Sequence, residues 1–231
     1  MIHSIARPDI AAVARRDGLA AGLTAAFDLQ APVPCSAGGR TLLPPGLLPV
    51  VVGWSLPDMQ LPAGRCRVEI EPHELARSEH LVLVRVSRLA ASTPATARRV
   101  AADVEADGFS WPAALLAVRA GLTRRLLGRA IEELAGRISD GAPLTERQLV
   151  RAEIAEIAIT VETVETVLPA LPSRPADAET DFWHGELDRA DQALSRLFGA
   201  SGYLDDHPAR GLRLVPLLRD VYAPPGLGQA A

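Results

Sequence analysis

The chain has 231 residues, of which 48% are hydrophobic and 23% charged, and its formal net charge is −4. This length allows one large domain or two small ones, and the composition is that of a soluble globular protein. No basic face or arm stands out, which argues against a nucleic-acid-binding protein, and no apolar run is long enough to span a bilayer. Lysine and asparagine are absent, which points to a GC-rich bacterial genome.

The N-terminus and the two cysteines predict a cytoplasmic protein. Charged residues occupy the part of the N-terminus where a secretory signal would have its apolar segment. Cys35 and Cys66 lie far apart in the sequence, so we expect two reduced, structural thiols rather than a disulfide. No histidine or cysteine has a second ligand at metal-binding spacing, and no metal is expected.

The first half of the chain, residues 1–110, predicts an irregular, β-containing module. The segment from Ile10 to Leu29 has the pattern of one or two helices, broken at Gly18 and Gly22. Residues 30–64 are rich in proline and glycine. Strands are predicted over Val50–Trp54, Arg67–Glu71 and His80–Val86, and a helix or linker over Thr93–Asp107.

The second half, residues 111–226, predicts an antiparallel four-helix bundle, and residues 227–231 a flexible tail. Apolar residues recur there at spacings of three and four. The helices are predicted over Trp111–Ile138, Thr145–Leu168, Asp177–Phe198 and Pro208–Tyr222. Thr145 and Gln148 have the spacing of a capping box, and Pro216 predicts a kink. The predicted fold class is mainly α with a small β-rich part.

Two glycine-containing strings in this half form a recognisable pattern. Their key residues are Arg137, Gly141, Gln148, Arg196, Gly199, Ala200, Gly202 and Tyr203. Together with the later His207–Pro208 and Tyr222–Ala223 pairs, they resemble, without a gap in spacing, the C-terminal helical domain of the flavin-dependent acyl-CoA dehydrogenases. The resemblance covers about half of the chain.

The resemblance implies that these eight residues bind FAD in a site shared with a partner subunit. Arginine pairs with a diphosphate through its planar fork, and glycine lets the main chain approach the phosphates closely. In that family one glutamate removes the α-proton of an acyl thioester while a hydride passes to the flavin. The resemblance also implies homo- or hetero-oligomers formed through the bundle, and a reduced middle domain over residues 1–110.

Several residues depart from the family pattern. The position of the catalytic glutamate falls on Ala223, and the alternative position of the base falls near Trp111. Asp140 replaces an aromatic residue before Gly141, which brings a negative charge near the cofactor phosphates. Proton abstraction needs a positioned base, so a conventional, self-sufficient dehydrogenase would require a relocated acid such as Asp107 or Asp140.

Simpler structural roles compete with cofactor binding for several of these residues. Arg137 suits the C-terminal end of a helix, and Gln148 suits a helix cap. The two glycines after the third helix are explained by a helix end and a turn. Tyr203 and Tyr222 are expected to be packed rather than catalytic.

Three functions therefore stay open at this stage. The first is a divergent subunit of a flavin-dependent acyl-thioester dehydrogenase that lacks its own base. The second is a flavin-independent cyclase, dehydratase or isomerase of secondary metabolism on the same scaffold. The third is a non-catalytic interaction protein. An apolar pocket with a convergent acid or histidine would favour the second function, whereas a cavity filled by the protein's own side chains would exclude it.

Overall fold

The structure is a computed structural model that describes residues 7–27, 31–56, 59–89, 110–172, 177–204 and 206–224. The predicted helix or linker over Thr93–Asp107, with its acid Asp107, and the predicted tail over residues 227–231 lie outside these ranges. No helix within the ranges combines the length and the hydropathy that a membrane span requires.

The described residues form seven α-helices, eight short strands and several 3-10 helices. The helices are α1 (Arg7–Asp17), α2 (Leu19–Ala26), α3 (Glu74–Ser78), α4 (Trp111–Gly136), α5 (Gln148–Val167), α6 (Asp177–Phe198) and α7 (Val215–Tyr222). The strands are β1 (Val33–Pro34), β2 (Arg40–Leu43), β3 (Gly53–Leu56), β4 (Met59–Pro62), β5 (Cys66–Glu71), β6 (Val82–Arg88), β7 (Ile138–Ser139) and β8 (Ala142–Pro143). The fold class predicted from the sequence is confirmed.

The second half of the chain forms the antiparallel bundle. Helix α5 lies antiparallel to its neighbours, as shown by the ion pairs that join Arg124 of α4 to Glu165 and Arg196 of α6 to Glu153. The fourth helical segment begins as a 3-10 helix over Pro208–Leu214 and continues as α7. Apolar side chains from all four segments are buried together in one core.

Helices α1 and α2 pack against α4 and extend the same core. Gly18 separates the two helices with a φ of +92°, a conformation that only glycine adopts at low cost. Gly121 of α4 lies directly against α1: a Cβ added there would stand 2.1 Å from the carbonyl oxygen of Ala11. The backbones of α1 and α4 therefore approach each other closely, and this approach depends on small residues at the contact.

Strands β1 to β6 form two small sheets. Strands β1, β3 and β4 form one, in that order, and β2, β6 and β5 form an antiparallel second sheet with β6 in the centre. Trp54, Leu43 and Val84 pack between the sheets in a second hydrophobic cluster. The second sheet is tied to the bundle because the hydroxyl of Tyr222 donates to the carbonyl oxygen of Leu42.

Three local predictions are corrected by the structure. Gly22 lies inside α2 and does not break it, because Val118 and Ala14 pack where its side chain would be. Thr145 does not cap α5: residues 144–146 form a 3-10 turn, so the helix begins at Gln148 with no side-chain cap. Pro216 lies in the first turn of α7, where proline is tolerated, and the change of helix type takes the place of a kink.

Candidate functional site

A tight hairpin follows α4 at one end of the bundle. Strands β7 and β8 pair through a two-residue turn in which Asp140 and Gly141 have φ of +48° and +78°. Two positive φ values define the turn type that matches the twist of a hairpin, and Asp-Gly is one of its preferred sequences. The Asp-Gly pair was thus a hairpin signal that the sequence interpretation missed. An added Cβ at Gly141 would meet no atom, so the turn faces open space.

A second turn lies beside this hairpin. Gly199 ends α6 with a φ of +59°, and Gly199–Tyr203 then forms a 3-10 turn. The guanidinium of Arg137 joins the two turns, because it donates to the hydroxyl of Ser201 at 2.9 Å. The same group pairs with Glu133 at 3.2 Å, and its side chain is 42% exposed. The hairpin after α4 and the turn after α6 therefore form one surface.

We call this the end surface: residues 137–141, Gln148, Arg196 and residues 199–203. All eight candidate cofactor residues lie on it and are exposed or half-buried. Arg196 pairs with Glu153 at 2.7 Å and is 65% exposed. Asp140 pairs with Arg147 at 2.7 Å. Tyr203 was expected to be packed but is 71% exposed, because its turn projects from the end of α6.

Apolar side chains are also exposed on and beside the end surface. Leu149 is 85% exposed, Ile138 64% and Leu204 56%. A groove of about 640 Å³ begins at Gly202 and Tyr203 and runs between α6 and α7. These apolar residues and one end of the groove therefore lie at the same end of the bundle.

The positions expected for a catalytic base lie together elsewhere in the fold. Ala223 is 2% exposed, and the preceding Tyr222 is 1% exposed. The ring of Trp111 lies 5.0 Å from that of Tyr222, and the ring of Phe27 lies 4.9 Å from that of Trp111. The Nε1–H of Trp111 donates to the carbonyl oxygen of Pro32 at 3.3 Å. Aromatic side chains thus fill the space around both base positions.

Comparison with solved structures identifies the scaffold. The chain superposes on the ChsE4-ChsE5 complex from Mycobacterium tuberculosis with a TM-score of 0.58 and 18% identity, over 83% of this chain and 59% of that one. A putative acyl-CoA dehydrogenase from Mycobacterium smegmatis superposes with a TM-score of 0.53 and 18% identity, over 69% of this chain and 47% of that one. An FAD-dependent dehydrogenase superposes with a TM-score of 0.50 and 18% identity, over 71% of this chain and 50% of that one. The chain has an acyl-CoA dehydrogenase fold.

This fold is present in shortened form. The chain spans 59% or less of the length of these three similar chains. No family model matches the sequence, and no curated protein matches it. The acyl-CoA dehydrogenase fold is therefore shown by the structure alone.

Of the two relocated acids considered from the sequence, Asp107 lies outside the described residues, and Asp140 is not placed to act at the base positions. Asp140 follows the C-terminal end of α4, whereas Trp111 begins this helix, so the length of α4, roughly 38 Å, separates them. Asp140 is held instead in the hairpin turn and paired with Arg147. Burial raises the pKa of the Cys35 thiol to about 12 and also raises the pKa of Cys66, which disfavours the nucleophilic thiolate form of both.

A buried polar network joins α4, α6 and α7, and no sequence motif predicted it. Arg119 is 1% exposed and donates to Asp191 at 2.9 Å and Asp188 at 2.7 Å. Its guanidinium also donates to Nδ1 of His184 at 3.0 Å, which makes that nitrogen the acceptor and leaves Nε2–H to bond a main-chain carbonyl. Arg219 of α7 completes the network through Asp188. Within the described residues no cluster of side chains is placed to hold a metal ion.

The network makes stability depend on pH. Burial, with the nearby charge of Arg119, lowers the pKa of His184 from 6.5 to about 3. The unfolded chain therefore binds a proton below about pH 6.5 that the folded protein does not, and stability falls as the pH falls from 6.5 toward 3. We expect His184→Gln to remove about 2 kcal/mol of the stability loss between pH 6.5 and 5, measured by urea unfolding. The exposed His80, changed to Asn, serves as the control; equal slopes in all three proteins would contradict the assignment.

Proposed function

We propose that this protein is a subunit of a flavin-dependent acyl-thioester dehydrogenase assembly. It supplies the end surface to an FAD site that it shares with a partner subunit, and the partner supplies the catalytic base. The observation that carries the proposal is the separation of two regions within one chain. The end surface and the base positions around Trp111 and Ala223 lie at opposite ends of α4, roughly 38 Å apart. This span exceeds the reach of one extended dinucleotide, so the two regions cannot serve the same FAD.

The end surface has the chemistry that a diphosphate requires. Arg137 and Arg196 present partly exposed guanidinium groups. Gly141 and Gly199 face open space, so the main chain of both turns is accessible to a ligand. The carboxylates of Glu133, Glu153 and Asp140 reduce the positive charge of the end surface. FAD, when bound, would supply the hydride acceptor, while these arginines and main-chain groups hold its phosphates.

The missing base supports a shared rather than a self-sufficient site. Ala223 has no ionisable group, and it is buried beside the packed rings of Tyr222, Trp111 and Phe27. A partner with its own glutamate would make the assembly active. Among the solved structures with this fold, the one from Mycobacterium tuberculosis is a ChsE4-ChsE5 complex, which is consistent with a two-component arrangement here.

The other two functions have less support. A flavin-independent enzyme was expected to use the cavity left by the cofactor, and the base positions are filled by Phe27, Trp111 and Tyr222 instead. The groove between α6 and α7 contains Asp188 and Asp191, but both carboxylates are engaged by Arg119. A non-catalytic interaction protein would use the exposed residues of the end surface without FAD, and the flavin experiment separates this function from the proposed one.

The proposal predicts a loss of flavin when Arg137 is changed. The protein would be purified together with any acyl-CoA dehydrogenase that is encoded next to it, and flavin would be measured by its visible absorbance. We expect Arg137→Gln to weaken FAD retention about 10- to 100-fold, because one charge-assisted hydrogen bond to phosphate is lost. Arg129→Gln is the matched control, since Arg129 is exposed on the same helix and pairs with Glu132 away from the hairpin.

The outcomes of this experiment separate the three functions. A colourless complex would overturn the proposed FAD site and favour an interaction protein. A yellow complex whose flavin content is unchanged in the Arg137 variant would show that the partner alone binds FAD. Acyl-thioester oxidation by the protein in the absence of any partner would contradict the statement that it lacks a base.

A further inference from the structure

Strand β5 lies at an open edge of the second sheet. It pairs with β6 on one side, and among the described residues no strand pairs with its other side. The side chains of residues 67–70 are all exposed. An edge strand of this length with uncovered apolar residues is a template for pairing with another chain.

The hydrogen bonds show which backbone groups of β5 point away from β6. The N–H of Leu89 donates to the carbonyl oxygen of Arg65 at 3.2 Å, which continues the ladder between the two strands. Because antiparallel ladders alternate, the odd-numbered residues of β5 bond to β6. The N–H and C=O groups of Cys66, Val68 and Ile70 therefore point toward the open edge.

The side chains of these three residues lie on the face that the core covers elsewhere. Val68 and Ile70 stand opposite Val86 and Val84 of β6, both of which are buried. Val68 is nevertheless 39% exposed and Ile70 is 62% exposed. The apolar layer of the sheet thus extends onto β5, where the described residues leave Val68 and Ile70 partly uncovered, while Arg67 and Glu69 occupy the opposite, polar face.

We propose that β5 pairs antiparallel with β5 of a second copy of this protein, with Val68 opposite Val68 at the two-fold axis. In this register the outward backbone groups of the two strands bond to each other. Cys66 of one copy stands opposite Ile70 of the other, which joins the two apolar faces. On the polar face Arg67 of each copy stands opposite Glu69 of the other. Because Arg67 also pairs with Glu69 of its own strand at 2.7 Å, the four side chains would form one network of alternating charge. The two three-stranded sheets become one continuous sheet.

Charge complementarity selects both this register and a second copy as the occupant. Backbone direction restricts the two-fold axis to Cys66, Val68 or Ile70. An axis at Ile70 would place Glu69 opposite Glu71, and an axis at Cys66 would place Arg67 opposite Arg65; both put like charges in contact. The axis at Val68 alone pairs opposite charges: Arg67 with Glu69 and Arg65 with Glu71, each twice because of the symmetry. The interface is small, so we expect a weak dimer whose population depends on concentration.

The test is a charge exchange within the strand. We expect sedimentation equilibrium of the wild-type protein to show a reversible dimer. Arg67→Glu should weaken the dimer at least about tenfold, because it places two glutamates opposite each other at two symmetric points. The double variant Arg67→Glu, Glu69→Arg should restore dimerisation, since it exchanges the charges and keeps every pair opposite. Arg77→Glu, an exposed change of equal charge on α3, is the control and should leave the dimer unchanged.

A second measurement reports on the backbone. Amide hydrogen exchange at Val68 and Ile70 should slow as the protein concentration rises, because these N–H groups are bonded only in the dimer. The substituted side chains are exposed, and circular dichroism of each variant would verify that the fold is kept. A monomer at every concentration overturns the proposal, and so does a dimer that Arg67→Glu leaves intact. Dimers that the double variant fails to restore also overturn it.

Discussion

Arg119→Met should lower the free energy of unfolding by about 3 to 5 kcal/mol, the usual loss when one partner of a buried ion pair is removed. The methionine fills most of the space but leaves Asp191 buried without its guanidinium partner. Burial already raises the pKa of Asp191, so its carboxylate would lose the main group that favours its charged form. The hydroxyl of Thr123, which donates to Asp191 at 2.7 Å, would be its remaining donor in the network.

Arg124→Met provides the matched control on the same helix. Arg124 also pairs with two carboxylates, those of Glu162 and Glu165, but its side chain is 25% exposed. We expect its replacement to cost no more than about 1 kcal/mol, because water competes with the ion pair. Urea unfolding of the two variants would measure the difference, and equal losses would contradict the role assigned to burial. The double variant Arg119→Met, Asp191→Leu should recover part of the loss, since no unpaired charge then stays buried.

Gly121→Ala should destabilise the protein by about 3 kcal/mol through overpacking between α4 and α1. The new Cβ would stand 2.1 Å from the carbonyl oxygen of Ala11 and 2.9 Å from the Cβ of Ala14. A backbone oxygen cannot rotate away as a side chain can, so α1 as a whole has to move. The free energy of unfolding and the exchange rates of the α1 amides would both report this displacement.

Gly128→Ala is the control for this substitution. Gly128 lies two turns further along α4, is exposed, and an added Cβ would meet no atom. Alanine has the higher helix propensity, so this variant should be about 0.5 to 1 kcal/mol more stable than the wild-type protein. The same chemical change is thus expected to have opposite signs at two positions of one helix. A destabilised Gly128→Ala variant would contradict this account.

The long helices could be predicted from the sequence because their signals are local. Helix α6 has the predicted bounds, and α4 ends two residues earlier than predicted, at Gly136. Ser110 caps α4 and Pro112 lies in its first turn, both within a few residues of the predicted start. Strands β1, β2 and β4 escaped prediction because they have two to four residues and depend on partners elsewhere in the chain.

The polar network and the aromatic cluster could not be predicted for the same reason. Arginine is usually a surface residue, and the burial of Arg119 depends on carboxylates that follow it by 69 and 72 residues. Phe27 follows the C-terminal end of α2 and contacts Trp111. The strands of both sheets lie between these two residues in the sequence. The candidate cofactor residues after α4 and after α6 do lie close together, because Arg137 bonds to Ser201, and their role in binding a cofactor stays a prediction.

The burial of Ala223 restricts the side chains that position 223 can hold. A glutamate at this position would enter a space that is 2% exposed and bordered by Tyr222, and burial would raise its pKa while the charge cost stability. Introducing a carboxylate here would therefore require compensating changes among the aromatic side chains around it.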